Sequence, residues 1–221
     1  MTPRYVLYGA PVSPFVRKVR LVLALKGQAY RFEHIDVFDQ PDWFTDISPL
    51  KRVPVLRDEA RGGATLADSS AICAYLDHEH VTPPLLPADA WGAGRAAWLE
   101  EYADTEFAYR LGMGVFRPRF VSPRMGKPVD EALVRKTLDE LAPRYFDYFE
   151  QELAGQPFFL GERPGLADIA VATQFVNFEY GGERVDGARW PDLSAFVTRM
   201  FALPAFAALL AEERRELRLD P

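Results

Sequence analysis

The chain has 221 residues, 48% hydrophobic and 26% charged, with a net charge of -6, a composition that excludes intrinsic disorder and argues against nucleic acid as a partner. A single cysteine, Cys73, excludes an internal disulfide and any multi-cysteine metal centre. No apolar run reaches the roughly 18–20 residues of a membrane-spanning helix. The first residues lead straight into a β-favouring run, so a cytoplasmic protein with no membrane partner is expected.

Residues 4–8 favour a strand that Gly9 ends. Residues 15–26 place apolar side chains at helical spacing, with Arg17, Lys18 and Arg20 on a face expected to be solvated, and Gly27 as the stop. Residues 29–35 alternate as a second strand, 41–46 suit a short helix or loop, and 53–57 and 64–67 are strands on either side of the turn Arg61-Gly62-Gly63. Asp68, Ser69 and Ser70 open a helix with Ile72, Tyr75 and Leu76 inward. The order β-α-β-α-β-β-α makes residues 1–80 one α/β unit. Residues 81–89 hold three prolines and read as a linker. Residues 90–221 then carry only helical patterns, over 91–113, 130–153 with a bend at Pro143, 166–178, 193–201 and 204–215, with a basic, proline-interrupted connection at 118–128. The expected architecture is a small α/β domain followed by an all-α domain. Basic and acidic residues balance over the first 85 positions, so the α/β part is the more hospitable to a small anion.

Ser13-Pro14 is a favourable N-cap and first-turn pair, and a helix N-terminus attracts anions through its unpaired N–H groups and its dipole. Val53-Pro54 opens a strand where proline cannot donate to the ladder; a cis bond there would turn the Val53 backbone outward toward a peptide-like ligand. Asp68-Ser69 is a cap, or a second anion site whose carboxylate holds an ammonium. Each signal alone also fits a structural cap or an edge-strand proline. Asp77-His78-Glu79-His80 reads as solvated charge at a fraying helix end, and no metal is expected. Cys73 reads as a small buried residue. Asp168, three residues into its helix, reads as half of a capping box whose usual Ser/Thr is Gly165.

Taken in order, Tyr8-Gly9, Ser13-Pro14-Phe15-Val16-Arg17-Lys18-Val19-Arg20, Ser48-Pro49-Leu50-Lys51-Arg52-Val53-Pro54-Val55-Leu56 and Leu66-Ala67-Asp68-Ser69-Ser70-Ala71-Ile72 resemble the soluble glutathione S-transferases. The likeness continues through Pro84-Leu85-Leu86-Pro87, Leu166-Ala167-Asp168-Ile169-Ala170, Trp190-Pro191-Asp192-Leu193 and Pro204-Ala205-Phe206. It implies a thioredoxin-like domain that binds glutathione as co-substrate, a helical domain supplying an apolar electrophile pocket, and a homodimer. Within the family the pattern is similar to the serine-type, bacterial-like members. By resemblance Ser13 is catalytic, donating a hydrogen bond to the glutathione sulfur, and Arg52 meets the glycyl carboxylate. Val53, ahead of Pro54, pairs with the cysteinyl backbone, and Asp68 with Ser69 grips the γ-glutamyl end. Lys51 stands where many relatives carry glycine. Tyr8 is the rival sulfur donor, with a packed strand residue as its plain alternative. Tyr109, Met113 and Phe116 recur at helical spacing and suit either the electrophile pocket or a packed core; Asp104 suits a surface charge or a contact to the ligand ammonium. The lack of a Ser-Ser-Cys sequence at Val12-Ser13-Pro14 argues against maleylacetoacetate isomerisation. The resemblance implies a glutathione transferase, with an adaptor of the same architecture and little activity as the alternative.

Overall fold

The computed structural model describes residues 2–219 and divides into two compact units. One takes the chain up to Leu85 and again from Pro204 onward; the other is Leu86–Leu203.

In the first unit, β1 (Tyr5–Gly9), β2 (Tyr30–His34), β3 (Val55–Asp58) and β4 (Ala64–Ala67) form a sheet in the order β2-β1-β3-β4. β1 and β2 are parallel, which requires a crossover, and α1 (Pro14–Leu25) supplies it. β3 and β4 form an antiparallel hairpin, with Gly62 and Gly63 at φ of 66° and 78° in its turn. A short helix, α2 (Phe44–Ile47), precedes β3, and α3 (Ser69–Glu79) follows β4. This is the β-α-β-α-β-β-α order read in the sequence, and it agrees with the thioredoxin-like domain that the resemblance implies. Val16, Val19, Val22, Ile72 and Leu76 are buried where α1 and α3 face the core. Gly9 permits the close approach of β1 to α1, since a Cβ there would lie 2.6 Å from a Val16 methyl.

Two expectations for this unit are corrected. The last helix, α11 (Pro204–Glu216), was expected with the helical domain of residues 90–221; it packs on α1 and belongs to the sheet unit. The supposedly solvated Arg17, Lys18 and Arg20 are buried. Arg17 pairs with Glu213, Arg20 pairs with Glu212 and donates to the Tyr30 hydroxyl, and Lys18 donates to Ser70. Glu212, Glu213 and Glu216 of α11 thus complement Arg17 and Arg20 on the basic face of α1. The charges of residues 77–80 are likewise engaged and not simply solvated. Asp77 pairs with Lys26, Glu79 with Arg4 and Arg61, and His80 bonds the Tyr5 hydroxyl. No group of three His, Cys, Asp or Glu suited to a metal ion occurs among the described residues.

In the second unit, helix is nearly continuous. α4 (Ala90–Tyr102), α5 (Ala108–Leu111) and α6 (Ser122–Arg124) are joined by wider, π-helical turns at Ala103–Phe107 and Gly112–Val121. The expected connection over 118–128 is therefore wrong for its first part: the wide turn carries the helix through Pro118. α7 (Glu131–Lys136), a wide turn at Thr137–Leu141 and α8 (Ala142–Leu153) make the long helix expected over 130–153, with its irregularity just before Pro143. α9 (Leu166–Tyr180) is buried throughout residues 166–178, the signature of a central helix. α10 (Pro191–Ala202) completes the unit. No single helix among the described residues is long and apolar enough to cross a membrane.

Asp168 anchors the start of α9. Its carboxylate accepts from the N–H groups of Gly165 (2.8 Å) and Phe159 (2.9 Å) while 1% exposed. Gly165 has no side chain to return the bond. Burial pushes the Asp168 carboxyl up to about 6, against the pull of the two N–H donors. A carboxyl raised in the folded state contributes stability that is full below its unfolded value and lost as pH rises through the folded one. Urea unfolding of the parent and of Asp168→Asn should therefore show the parent's relative stability falling by about 2 kcal/mol between pH 4.5 and 7.5. A difference that is constant or grows with pH would contradict this assignment.

Candidate functional site

The strand register brings three loops to one end of the sheet. Tyr8 pairs with Val55, and Val55 with Ala67. The chain leaves β1 after Gly9, enters β3 just after Pro54 and leaves β4 into Asp68, all at that end.

The first loop ends at Ser13, the N-cap of α1, with Pro14 in the first turn. Ser13 donates its backbone N–H to the Ala10 carbonyl (3.0 Å) and accepts at its own carbonyl from Arg17 N–H (2.9 Å). The half-buried hydroxyl accepts from Val16 N–H at 3.4 Å, a long bond that leaves its own proton to be donated. The α1 dipole presents its positive end here.

The second loop is set by Ser48, a residue whose role sequence reading missed. Its buried hydroxyl accepts from Arg52 N–H (3.0 Å) and donates to the Arg52 carbonyl (2.8 Å). A Ser-Pro preceding a short polar loop was the available signal. Lys51 has φ of 53°, the left-handed region that glycine occupies freely. Arg52 is exposed; Val53 is half-buried; Pro54 is buried behind a cis Val53–Pro54 bond. The Val53 backbone makes no hydrogen bond with another described residue.

The third loop is Asp68 itself, at φ of 80°, a conformation rare for any residue but glycine and one that marks functional sites. Its carboxylate caps α3 through the N–H groups of Ser70 (2.9 Å) and Ala71 (3.1 Å). Ser69 follows, buried at the first helical position. Lys18 of α1 reaches Ser70 Oγ at 3.1 Å and ties the two helix starts together. Ser13, Arg52, Val53, Pro54, Asp68 and Ser69 thus belong to three loops at the same sheet end, with two helix N-termini opening there.

Tyr8 packs against Ile35, Phe44 and Val55, with its ring 5.8 Å from that of Trp43. Its ring is thus packed within the sheet's core cluster.

Residues 7–84 match the glutathione S-transferase N-terminal domain and residues 109–204 the glutathione S-transferase C-terminal domain. Glutathione S-transferase 3 of Zea mays is 33% identical over 168 residues, covering 73% of this chain and 72% of that protein. The chain belongs to the glutathione S-transferase family. A wheat (Triticum aestivum) glutathione S-transferase is 28% identical over 221 residues and covers 96% of each chain. The solved structure of a glutathione S-transferase from Rhodospirillum rubrum F11 superposes with a TM-score of 0.83 at 25% identity, over 93% of this chain and 91% of that one.

In the helical unit of this family member, Tyr109 and Met113 are 59% and 42% exposed, which removes the packed-core alternative for them. Phe116 is half-buried and stacks on Phe120 at 4.9 Å, which in turn stacks on Tyr180. Asp104 accepts from Gln174 Nε2 at 3.5 Å.

The Lys51 backbone predicts a measurable stability effect. A left-handed conformation costs an ordinary residue about 1–2 kcal/mol, partly offset by the looser unfolded chain that glycine gives. Lys51→Gly should raise the melting temperature by roughly 1–3 °C in calorimetry. Lys51→Ala, which keeps the Cβ, should not; equal gains from both would assign the effect to the lysine side chain.

Proposed function

We propose that this chain is a glutathione transferase of the serine-type, bacterial-like kind. On this reading it binds glutathione at the loop end of its sheet and adds the sulfur to hydrophobic electrophiles, as a cytoplasmic homodimer. The observation that carries the reading is the meeting of Ser13, Val53-Pro54 and Asp68-Ser69 at one sheet end under two helix starts. The family matches over both units and the transferase names of the relatives support it.

The roles follow from the chemistry each group offers. The unpaired N–H and C=O of Val53 form a short edge on which the cysteinyl unit of the tripeptide can add as a strand. Arg52 suits the glycyl carboxylate. Asp68 receives the γ-glutamyl ammonium, while Ser69 and the N-terminus of α3 receive its carboxylate. The sulfur then lies at Ser13, whose hydroxyl hydrogen donates to it.

A free thiol has a pKa of about 8.5, so only a few per cent is thiolate at neutral pH. A hydroxyl donor and the positive end of α1 both favour the charged form. Each unit of depression corresponds to about 1.4 kcal/mol, and one to two units are within reach of these two contacts. The thiolate attacks an electrophilic carbon, a carbon–sulfur bond forms, and the leaving group departs with its electron pair. In an addition, the displaced electrons instead take a proton from water. Ser13 is a donor throughout and never a nucleophile. Tyr109, Met113 and Phe116 are the apolar side chains we assign to the electrophile.

Ser13→Ala should lower kcat by about ten- to a thousandfold with glutathione affinity held within a few-fold, because the lost bond is strongest to charged sulfur. Steady-state kinetics and calorimetric titration with glutathione check both halves. An unchanged kcat would reject Ser13 as the donor and transfer the role to Tyr8.

A further inference from the structure

The Arg17–Glu213 pair lies wholly out of water, with both side chains 0% exposed. Glu213 holds the guanidinium in two places, at Nε (2.8 Å) and Nη2 (2.5 Å). Such a pair is costly to bury, and apolar side chains of similar volume often serve stability as well or better. Its geometry suggests a different use. Arg17 Nη2 also donates to the Val12 carbonyl at 3.4 Å, and Arg17 N–H donates to the Ser13 carbonyl at 2.9 Å. The second of these is the first helical bond of α1; the first is the side-chain bond through which Glu213 can act on the Val12–Ser13 peptide. The hydroxyl's own bond to Val16 N–H is long, so its position depends on the backbone that carries it.

We propose that Glu213, on the last helix, is a positioning residue for the sulfur site, acting through Arg17 to fix the Val12–Ser13 backbone and so aim the Ser13 hydroxyl. The proposal rests on the transferase reading above. It extends the site to α11, nearly two hundred residues away in sequence, and gives the buried basic face of α1 a role in the chemistry. Glu213 touches no reacting atom.

The test uses the full chain, glutathione and 1-chloro-2,4-dinitrobenzene, an activated aryl halide. Glu213→Gln keeps shape but drops the charge, and the paired variant Arg17→Met with Glu213→Leu replaces the ion pair by apolar side chains that preserve packing. In the folded variants kcat should fall about five- to tenfold, the KM for glutathione should stay within about threefold, and the thiol limb of the kcat/KM profile should move up by about half a pH unit. A merely structural pair would lower the melting temperature and leave the profile in place, and that result would overturn the proposal. Should Glu213→Gln fail to fold, the apolar pair decides alone, since it leaves no charge buried without a partner. A parent enzyme that conjugates nothing would instead reject the transferase reading, and the positioning role with it.

Discussion

Everything in the first unit converges on the amino-terminal end of α1. The parallel pairing of β1 and β2 forces a crossover helix, and Gly9 lets that helix start directly against the strand end. The positive end of the α1 dipole and the Ser13 hydroxyl therefore occur at one point for reasons of topology. Antiparallel β3 and β4 then deliver Pro54 and Asp68 to the same end. The site is a by-product of strand register, and its individual side chains refine what the register has placed.

The two ends of this sheet handle charge in opposite ways. At the far end, Arg4 binds Asp58 and Glu79, Arg61 binds Glu79, and Tyr75 donates to Asp58. The Arg4 hydrogen bonds hold the Asp58 carboxyl at about 2, so this cluster stays ionised at any ordinary pH. At the loop end, Arg52 is exposed and the two helix starts carry only the local caps of Ser13 and Asp68 and the Lys18–Ser70 bond among the interactions described above. A closed network stabilises a fold; open, preorganised donors are what an anionic ligand requires. Behind the open end, charge is closed again by α11, whose acidic side chains cover Arg17 and Arg20.

Much of this was legible in the sequence because the signals were local. Ser13-Pro14, the turn at Gly62-Gly63 and the Asp68 cap follow from backbone chemistry that short segments encode, and the ordered motif set extended them to the family. What stayed hidden was non-local or depended on geometry without a sequence marker. The basic face of α1 has a period suited to solvent, and its burial depends on distant elements: α11 returns from residue 204 onward to meet Arg17 and Arg20, and α3 meets Lys18. Pro118 reads as a break because a proline cannot keep α-helical bonding, yet a wider turn carried the helix past it. Tyr109 and Met113 have core spacing, but exposure depends on what packs opposite them, which periodicity does not contain. The left-handed Lys51 was marked only by standing where relatives carry glycine.

The central claim is that the start of α1 and its serine hydroxyl keep a bound sulfur ionised. The ultraviolet difference spectrum of the protein–glutathione complex, followed against pH, reads that thiolate directly. The account predicts a thiolate band that titrates one to two units below the roughly 8.5 of a free thiol. A bound tripeptide whose sulfur titrates at or above that value would contradict it.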